Sequence, residues 1–404
     1  MSAAAFLEVL RAFLKLGLTS FGGPIAHLGY FRKEFVVRRR WLDDATYTDL
    51  VALCQFLPGP ASSQVGFSIG LLRAGYPGGL AAWIGFTLPS AILLVSFAFG
   101  ATALNGPIGL GLVHGLKLVA VAIVAQAVVG MARTLCPDRS RASIAAAAAV
   151  IILLSGSSIA QISVIVMGAF IGLWLCREDA SAQASADASA SMRVVAIPVS
   201  RKAGMVSLAA FALLLIGLPL ARRLGAGSAI ALFDSFYRSG ALVFGGGHVV
   251  LPLLREAFVG PGWVGDGTFL AGYAAAQAVP GPLFTFAAFL GAVETPSPHG
   301  LAGASLGLIA IFLPGMLILV GTLPFWNTLR ARAGARAAMR GVNAAVVGLL
   351  AAALYTPVWT SAVKTAADLG VAILGFVALT VWRASALWVV ILGALAGVAL
   401  SFAV

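Results

Sequence analysis

The sequence predicts an all-α membrane protein with many spans, formed by two repeats of inverted topology whose helices break at matched Gly-rich and Pro-Gly-Pro motifs. Three observations predict this fold class. The composition is 60% hydrophobic and only 10% charged, whereas a soluble protein carries roughly a quarter charged residues. Long apolar runs recur along the chain, and the two halves repeat the same motifs in the same order. Their equivalent loops, however, differ sharply in basic charge.

The predicted spans are the apolar runs that are long enough, or nearly long enough, to cross a bilayer. They lie near 78–101, 107–130, 143–155, 158–175, 203–220, 301–323, 341–356, 366–381 and 384–404. We therefore expect a multi-pass protein of the cytoplasmic (inner) membrane, surrounded by the lipid bilayer. Residues 1–20 carry Glu8, Arg11 and Lys15 inside the apolar stretch, which a cleaved signal peptide would not tolerate.

The formal net charge of +12 would suggest nucleic acid as the partner of a soluble protein. Here the basic residues cluster in short loops between spans, which is the pattern of the positive-inside rule, so we expect no nucleic-acid partner. The cysteines Cys54, Cys136 and Cys176 are odd in number and lie in or beside spans, which favours neither a disulfide framework nor a metal site. No phosphate-binding loop is present in the sequence, and we expect no cofactor.

The internal duplication follows from ordered matches between the halves. At an offset of 223 residues the matched pairs are Lys15 with Arg238, Gly17 with Gly240, Arg32 with Arg255 and Phe35 with Phe258. After a one-residue deletion the matched pairs are Trp41 with Trp263, Asp44 with Asp266, Gln55 with Gln277, and Pro58-Gly59-Pro60 with Pro280-Gly281-Pro282. Further on, the LP pair at 88–89 matches the LP pair at 313–314, and 114–124 resembles 340–350. We divide the chain into a first transmembrane repeat (1–176), an Ala/Ser-rich cytoplasmic linker (177–202) and a second transmembrane repeat (203–404).

The charge of equivalent loops indicates that the repeats are inverted. The segment FRKEFVVRRRW after the first Gly-rich motif carries five basic residues, whereas its counterpart LREAFVGPGW carries one. Conversely, 102–106 is uncharged while 326–340 contains four arginines. If basic loops stay in the cytoplasm, equivalent loops face opposite sides. This holds only if the segments 50–73 and 272–294 enter the membrane and return, and it leaves Arg222 and Arg223 on the outside, against the rule.

The Pro-Gly-Pro motifs predict breaks that build a polar site. Proline removes a backbone donor and pushes the preceding residue out of the helical region, here Leu57 and Val279. A break in hydrocarbon persists only where protein or water satisfies its backbone. Pro60 and Pro282 can start second half-helices, whose free N–H groups suit an anion. Alternatively, each motif is a mere kink or a loop between two spans.

The predicted substrate site lies at the interface of the repeats. Its candidate residues are Ser20, Gly22, Gly23, Gln55, Pro58, Gly59, Pro60, Lys117, Gly245, Gly246, Gly247, His248, Gln277, Pro280, Gly281, Pro282 and Asn343. The candidate charge partners are Lys15, Arg32, Arg238 and Arg255. Few carboxylates lie inside the spans, so the side-chain inventory favours an anion over a cation.

Several candidates have a structural alternative. The glutamines could serve as hydrogen-bonding glue between helices, and His248 could be a packed neutral histidine. Lys15 could belong to an interfacial amphipathic helix, and Arg32 and Arg255 could anchor loops. The matched residues Asp44 and Asp266 are best explained as helix caps.

At these residues the chain resembles the chromate ion transporter (CHR) family, in particular its long, two-domain, ChrA-type members. The resemblance rests on FGGP, RKEF, QFLPGP and TLP in the first half and on FGGGH, REAF, QAVPGP and FLP in the second. It implies secondary active export of chromate and chromate resistance, with sulfate as a competing or counter-substrate. Uptake or exchange of sulfate or another oxyanion, and an anion channel, remain alternatives. An intramembrane enzyme would need a nucleophile, acid pair or metal set at the breaks, and neither half offers one. The sequence leaves open whether the protein is a homodimer.

Overall fold

The computed structural model describes residues 3–21, 23–101, 107–155, 158–177, 199–244, 247–295, 297–330 and 332–403. Gly22, Gly245, Gly246 and most of the predicted linker lie outside these ranges. Within the described ranges the chain is mostly helical and contains no β-strand, which confirms the all-α prediction.

The first half contains seven described helices, one of which divides in two. They are α1 (Ala3–Thr19), α2 (Gly23–Phe31) with a π-helical extension (Arg32–Arg38), α3 (Asp44–Phe56), α4 (Ala61–Ala101), α5 (Pro107–Leu135), α6 (Arg139–Ser155) and α7 (Ser158–Leu175). Within α4, the backbone leaves the helical region at Ala74 and Gly75, where Gly75 has φ +64°. The segments 61–73 (α4a) and 76–101 (α4b) pack against each other there, since Gly70 and Gly78 are too close to allow a Cβ on either.

The second half repeats these helices in the same order. They are α8 (Arg201–Arg223), α9 (Ser228–Ala241), α10 (Val250–Phe258), α11 (Asp266–Ala278), α12 (Phe286–Val293), α13 (Gly300–Thr322), α14 (Trp326–Arg330), α15 (Ala333–Ala353), α16 (Thr360–Ala362), α17 (Ala366–Thr380) and α18 (Ala386–Ala403). Helices α9, α10, α11 and α12 correspond to α1, α2, α3 and α4a. Helices α13, α15, α17 and α18 correspond to α4b, α5, α6 and α7. Helix α8 has no counterpart in the first half.

Both Pro-Gly-Pro segments enter and return on one side, as predicted. Around the second motif, α11 and α12 fold back on each other, so that Gly272 abuts the ring of Phe289. In the first half, Arg73 at the end of α4a pairs with Glu8 of α1 at 2.9 Å and lies over the Trp41 ring, just before α3, at 5.1 Å. The hairpins α1–α2 and α3–α4a therefore open on the same face of the protein.

The remaining long helices cross the molecule and give the repeats opposite orientation. Helices α4b, α5, α6, α7 and α8 make five crossings between the hairpins of the first half and those of the second. Because five is odd, α9 begins on the face opposite to α1, which confirms the inverted topology. The nine predicted apolar spans correspond to α4b, α5, α6, α7, α8, α13, α15, α17 and α18.

Each half completes the packing of the other. Helix α5 packs between α17 and α18, with Gly115 against Gly393, and α15 packs against α6 and α7, with Gly341 against Gly168. Neither contact leaves room for a Cβ. Small residues let membrane helices approach closely and pack through van der Waals contacts, since the hydrophobic effect does not drive helices together in lipid.

The two faces differ in charge. The face on which α1 begins carries Arg38, Arg39 and Arg73, the α5–α6 turn with Arg133, Arg139 and Arg141, and the loop before α15 with Arg332. We call it the basic face and the other the opposite face. Arg222 and Arg223 at the end of α8 lie on the opposite face, as the charge analysis anticipated.

Candidate functional site

Each Pro-Gly-Pro break meets the residue that directly precedes the Gly-rich motif of the other repeat. The Gly59 N–H donates to the Val243 carbonyl at 2.7 Å, and the Gly281 N–H donates to the Ser20 carbonyl at 2.9 Å. Ser20 and Val243 are equivalent residues that directly precede the Gly-rich motifs. The two bonds are therefore related by the pseudo-two-fold axis of the repeats, and the breaks lie at the repeat interface.

Glycine is required at both breaks. Gly59 has φ +117° and Gly281 has φ +103°, a region that side chains with a Cβ rarely adopt. A Cβ on Gly59 would lie 3.0 Å from the Gly315 Cα, and one on Gly281 would lie 2.7 Å from the Ser90 Oγ. Gly315 and Ser90 each follow the matched LP pair, so the close approach also occurs twice.

These bonds correct one expectation. Gly59 and Gly281 are candidate substrate residues in the sequence, but their N–H groups donate to carbonyl groups of the other repeat and are not available to an anion. Pro58, Pro60, Pro280 and Pro282 are buried in protein, and the hydrogen bonds between the repeats satisfy the backbone as a break in hydrocarbon requires. Gly247 packs 3.6 Å from Pro24 of the first motif, measured from an added Cβ, and Gly23 has φ +78° at the start of α2.

Side chains of the first repeat form a buried group around this interface. We call it the polar cluster; its members are Ser20, His27, Ser62, Ser63, Thr87 and Ser90, all between 0% and 3% exposed. The His27 Nδ1 lies 3.4 Å from the Ser62 Oγ, and the His27 ring packs on Phe86. Gly281 adjoins both Phe86 and Ser90 of α4b. Phe86 therefore lies between the second break and the His27 ring of α2.

Several polar atoms of the cluster have no hydrogen-bond partner. These are the Ser20 Oγ, the Ser63 Oγ, the Thr87 Oγ1 and the His27 Nε2. Helix α4a also begins here, and the first N–H groups of a helix have no partner within it. A buried polar group without a partner costs on the order of 1–3 kcal/mol, so a group of them indicates a bound polar species. Hydroxyl, imidazole and backbone N–H donors suit an oxyanion.

The second repeat lacks this cluster. The equivalent positions are Val243, Val250, Phe284, Thr285, Phe312 and Gly315. The one hydroxyl that remains, on Thr285, donates to the Pro282 carbonyl at 2.7 Å. The repeats are thus symmetric in backbone but not in side chains, and one repeat alone supplies the donors of the polar cluster.

The second repeat carries a different polar group beside its break. The His248 Nδ1 lies 2.9 Å from the Tyr273 hydroxyl and 3.3 Å from the Gln277 Nε2. Gln55, the counterpart of Gln277, is exposed, and its side chain makes no hydrogen bond within the described part of the chain. The prediction of equivalent roles for the two glutamines is therefore wrong.

This difference gives a testable prediction. We expect Gln277→Ala to lower thermal stability, because it removes a hydrogen bond worth about 0.5–1.5 kcal/mol from a half-buried network. Gln55→Ala should leave stability unchanged. Thermal unfolding of the two purified variants beside the parent protein checks this, and equal losses in both would contradict the assignment.

Arg32 and Arg255 anchor loops in both repeats. Arg32 binds Asp44 through two hydrogen bonds of 2.7 and 2.9 Å, and Arg255 binds Asp266 at 2.9 Å. Neither arginine contacts the polar cluster. The capping role expected for the aspartates is wrong, since Asp43 caps α3 through the Thr46 N–H and Gly265 precedes α11.

The other charged candidates also lie apart from the polar cluster. Lys15 is exposed and 3.8 Å from Glu34, while Arg238 donates to Asp234 at 2.6 Å. The Lys117 Nζ sits against Gly267 at the start of α11. The Asn343 Oδ1 on α15 is buried without a partner.

The inverted repeats, the broken re-entrant helices that meet at their interface and the buried polar cluster define a membrane transport protein of the inverted-repeat class. The chain belongs to the chromate transporter family, whose model matches residues 7–173 and 230–398, one copy in each half.

Named relatives agree with this family. The chain is 29% identical to the chromate transport protein of Pseudomonas aeruginosa over 86% of this chain and 80% of that protein. It is 26% identical to the chromate transport protein of Cupriavidus metallidurans over 86% of this chain and 81% of the relative. An uncharacterized transporter of Bacillus subtilis is 33% identical over 22% of this chain and half of its own length. No solved structure matches the chain.

Proposed function

We propose that the protein is a secondary transporter that exports chromate from the cytoplasm across the cytoplasmic membrane, and so confers chromate resistance. It acts as a transporter and not as an enzyme, and it needs no cofactor. The observation that carries the proposal is the polar cluster, in which unpartnered donors surround the meeting point of the two breaks. The names of the relatives supply the identity of the anion.

The polar cluster suits a tetrahedral dianion. Removing such an ion from water is costly unless fixed donors replace its hydration shell. The Ser20, Ser63 and Thr87 hydroxyls and the His27 imidazole are donors that need no reorganisation, because packing already holds them in place. Four carboxylates are buried within the described ranges, Glu34, Asp234, Glu294 and Asp368, and none of them is hydrogen-bonded to a member of the cluster.

Membrane potential favours export. By the positive-inside rule, the basic face is cytoplasmic. A dianion that leaves a negative-inside cell gains about 2.3 kcal/mol per charge per 100 mV, or about 7 kcal/mol at an illustrative ~150 mV. Export therefore needs no ATP, whereas uptake against this potential would require coupled cations.

Alternating access would act on the contacts between the repeats. The hydrogen bonds from Gly59 to Val243 and from Gly281 to Ser20 join them at the breaks. A rocking of one repeat against the other exposes the polar cluster first to the basic face and then to the opposite face. The anion stays with the first repeat, which holds all the donors of the cluster.

Flux measurements in inside-out vesicles test the proposal. We expect chromate to accumulate in vesicles that contain the protein, faster when the lumen is made positive and slower when the potential is collapsed. Sulfate, supplied alone and then in competition, measures the selectivity. Flux that is insensitive to the potential but stimulated by an anion on the opposite side would indicate electroneutral exchange instead, because uncoupled movement of a dianion responds to the potential. Chromate flux equal to that of empty vesicles would refute the proposed function.

A further inference from the structure

A cavity opens on the opposite face of the second repeat, away from the polar cluster. It has a volume of about 320 Å³ and lies between α9, α10 and the start of α7. Its polar lining residues are Gln161, Arg222, Ser235, Arg238, Ser239 and Glu256. A water molecule occupies roughly 30 Å³, so the cavity has room for an oxyanion together with several waters.

Two guanidinium groups face this cavity in front of a hidden carboxylate. Arg238 donates to the Asp234 Oδ2 at 2.6 Å, and Arg222 lies 3.5 Å from the same oxygen. The side chains of Arg222 and Arg238 are 37% and 38% exposed, whereas that of Asp234 is fully buried. A solute in the cavity therefore meets the cations first.

The equivalent groove of the first repeat is closed. Lys15 is the counterpart of Arg238, and Glu34 is the counterpart of Ala257, which lines the cavity. Glu34 is 6% exposed and binds Arg39 at 2.7 Å, Arg38 at 3.1 Å and Lys15 at 3.8 Å. These ion pairs fill the groove on the basic face, while Ala257, Gly260 and Pro261 leave its counterpart open.

We propose that this cavity is an outer binding site for the tetrahedral oxyanion, occupied after it leaves the polar cluster and before release; this rests on the proposed function. The planar fork of arginine matches oxyanion geometry, and the site presents two of them. The Ser235 hydroxyl accepts from Arg222 at 3.5 Å and rotates toward an anion when one enters. Glu256 on the same wall opposes the anion and keeps binding weak, as release requires.

Thiol labelling tests this site directly. Ala257→Cys, in a background in which Cys54, Cys136 and Cys176 are replaced by alanine, places a thiol on the cavity wall. We expect a membrane-impermeant cationic thiosulfonate, added from the opposite face, to label it. Molybdate, a tetrahedral dianion chosen because chromate oxidises thiols, should slow labelling. Arg238→Gln removes one charge-assisted contact to the anion. Because a change of about 1.4 kcal/mol in binding free energy changes affinity tenfold, we expect the molybdate concentration that protects the thiol to rise about tenfold or more.

Matched variants complete the test. Glu256→Gln should lower the protecting concentration, because it removes the opposing charge. Arg32→Gln, which alters an ion pair on the basic face, should leave protection unchanged. Each variant is first checked for monodisperse behaviour on size-exclusion chromatography. The comparison is then repeated without the introduced cysteine, by calorimetric measurement of molybdate binding to proteins that retain Ala257.

The outcomes separate this inference from the proposed function. Protection by molybdate in a protein that moves no chromate would refute the transport proposal but keep the anion site. Chromate flux without any protection, or protection that Arg238→Gln does not weaken, would overturn the outer site and keep transport.

Discussion

Gly59→Ala is expected to lower thermal stability and to abolish most chromate flux. The residue has φ +117°, and an added Cβ would lie 3.0 Å from the Gly315 Cα, which is backbone and cannot swing aside. Strain of this kind costs on the order of 1–3 kcal/mol. Relief would require α4a to move away from α13, which also breaks the Gly59 hydrogen bond to Val243. Gly281→Ala should have a milder effect, since the nearest atom to its Cβ is the Ser90 hydroxyl oxygen at 2.7 Å, while the nearest backbone atom, the Phe86 oxygen, lies farther away at 3.2 Å.

Gly217→Ala is the matched control. Gly217 lies within α8, and an added Cβ there would meet no atom within 4 Å. Alanine is favoured over glycine in a helix by about 1 kcal/mol, so this variant should be as stable as the parent protein or slightly more so. Thermal unfolding and vesicle flux of the three variants check the prediction. A Gly59→Ala protein with normal stability and normal flux would show that the break is not a fixed element of the site.

Ser63→Ala and Thr87→Val are expected to reduce chromate flux without loss of stability. Each removes a buried hydroxyl that has no hydrogen-bond partner in the protein. A hydroxyl that served folding would cost stability when removed, whereas removing an unsatisfied one is neutral or stabilising. A hydrogen bond to a charged group contributes about 1.5–3 kcal/mol. Loss of one should therefore reduce flux at low chromate concentration by about ten- to a hundredfold.

Ser305→Ala separates this effect from a general loss of hydroxyl groups. The Ser305 hydroxyl donates to the Leu301 carbonyl on its own helix at 2.8 Å and is exposed. Its removal should change neither flux nor unfolding temperature measurably. If Ser63→Ala and Thr87→Val lower the unfolding temperature and leave flux unchanged, the polar cluster is structural and the proposed site is wrong.

The backbone of the site could be predicted from the sequence, because glycine and proline restrict φ and hydrogen bonding locally. Pro58 and Pro280 identify the breaks, and their spacing from the Gly-rich motifs differs by only one residue between the halves. The nine spans and the inverted charge of the loops are likewise properties of composition. None of these inferences needs knowledge of which helices touch.

The side-chain chemistry of the site could not be predicted in the same way. Matched residues suggested matched roles for Gln55 and Gln277, yet one is exposed and the other bonds His248. Ser62, Thr87 and Ser90 have Phe284, Phe312 and Gly315 as counterparts in the second half, so residues shared by the two repeats do not identify them. The available signal was the opposite one, a run of hydroxyl residues after only one of two matched breaks.

The backbone donors were misjudged for a related reason. Unpaired N–H groups are predictable at a helix break, but their partner depends on the tertiary contact that covers it. Here each repeat covers the break of the other, through Val243 and Ser20. The sequence pattern shows that the N–H groups at a break need hydrogen-bond acceptors, but it does not show which carbonyl groups accept.

The central claim is that an oxyanion binds where the two breaks meet, on the donors of the first repeat. A cryo-electron microscopy structure with tungstate, an electron-dense tetrahedral dianion, tests it most directly. We expect density within hydrogen-bonding distance of the Ser63 and Thr87 hydroxyls, absent from a map of the Ser63→Ala, Thr87→Val double variant. Tungstate bound only at the apolar counterpart near Phe284 and Phe312, or a polar cluster that holds water alone at saturating tungstate, would contradict the account.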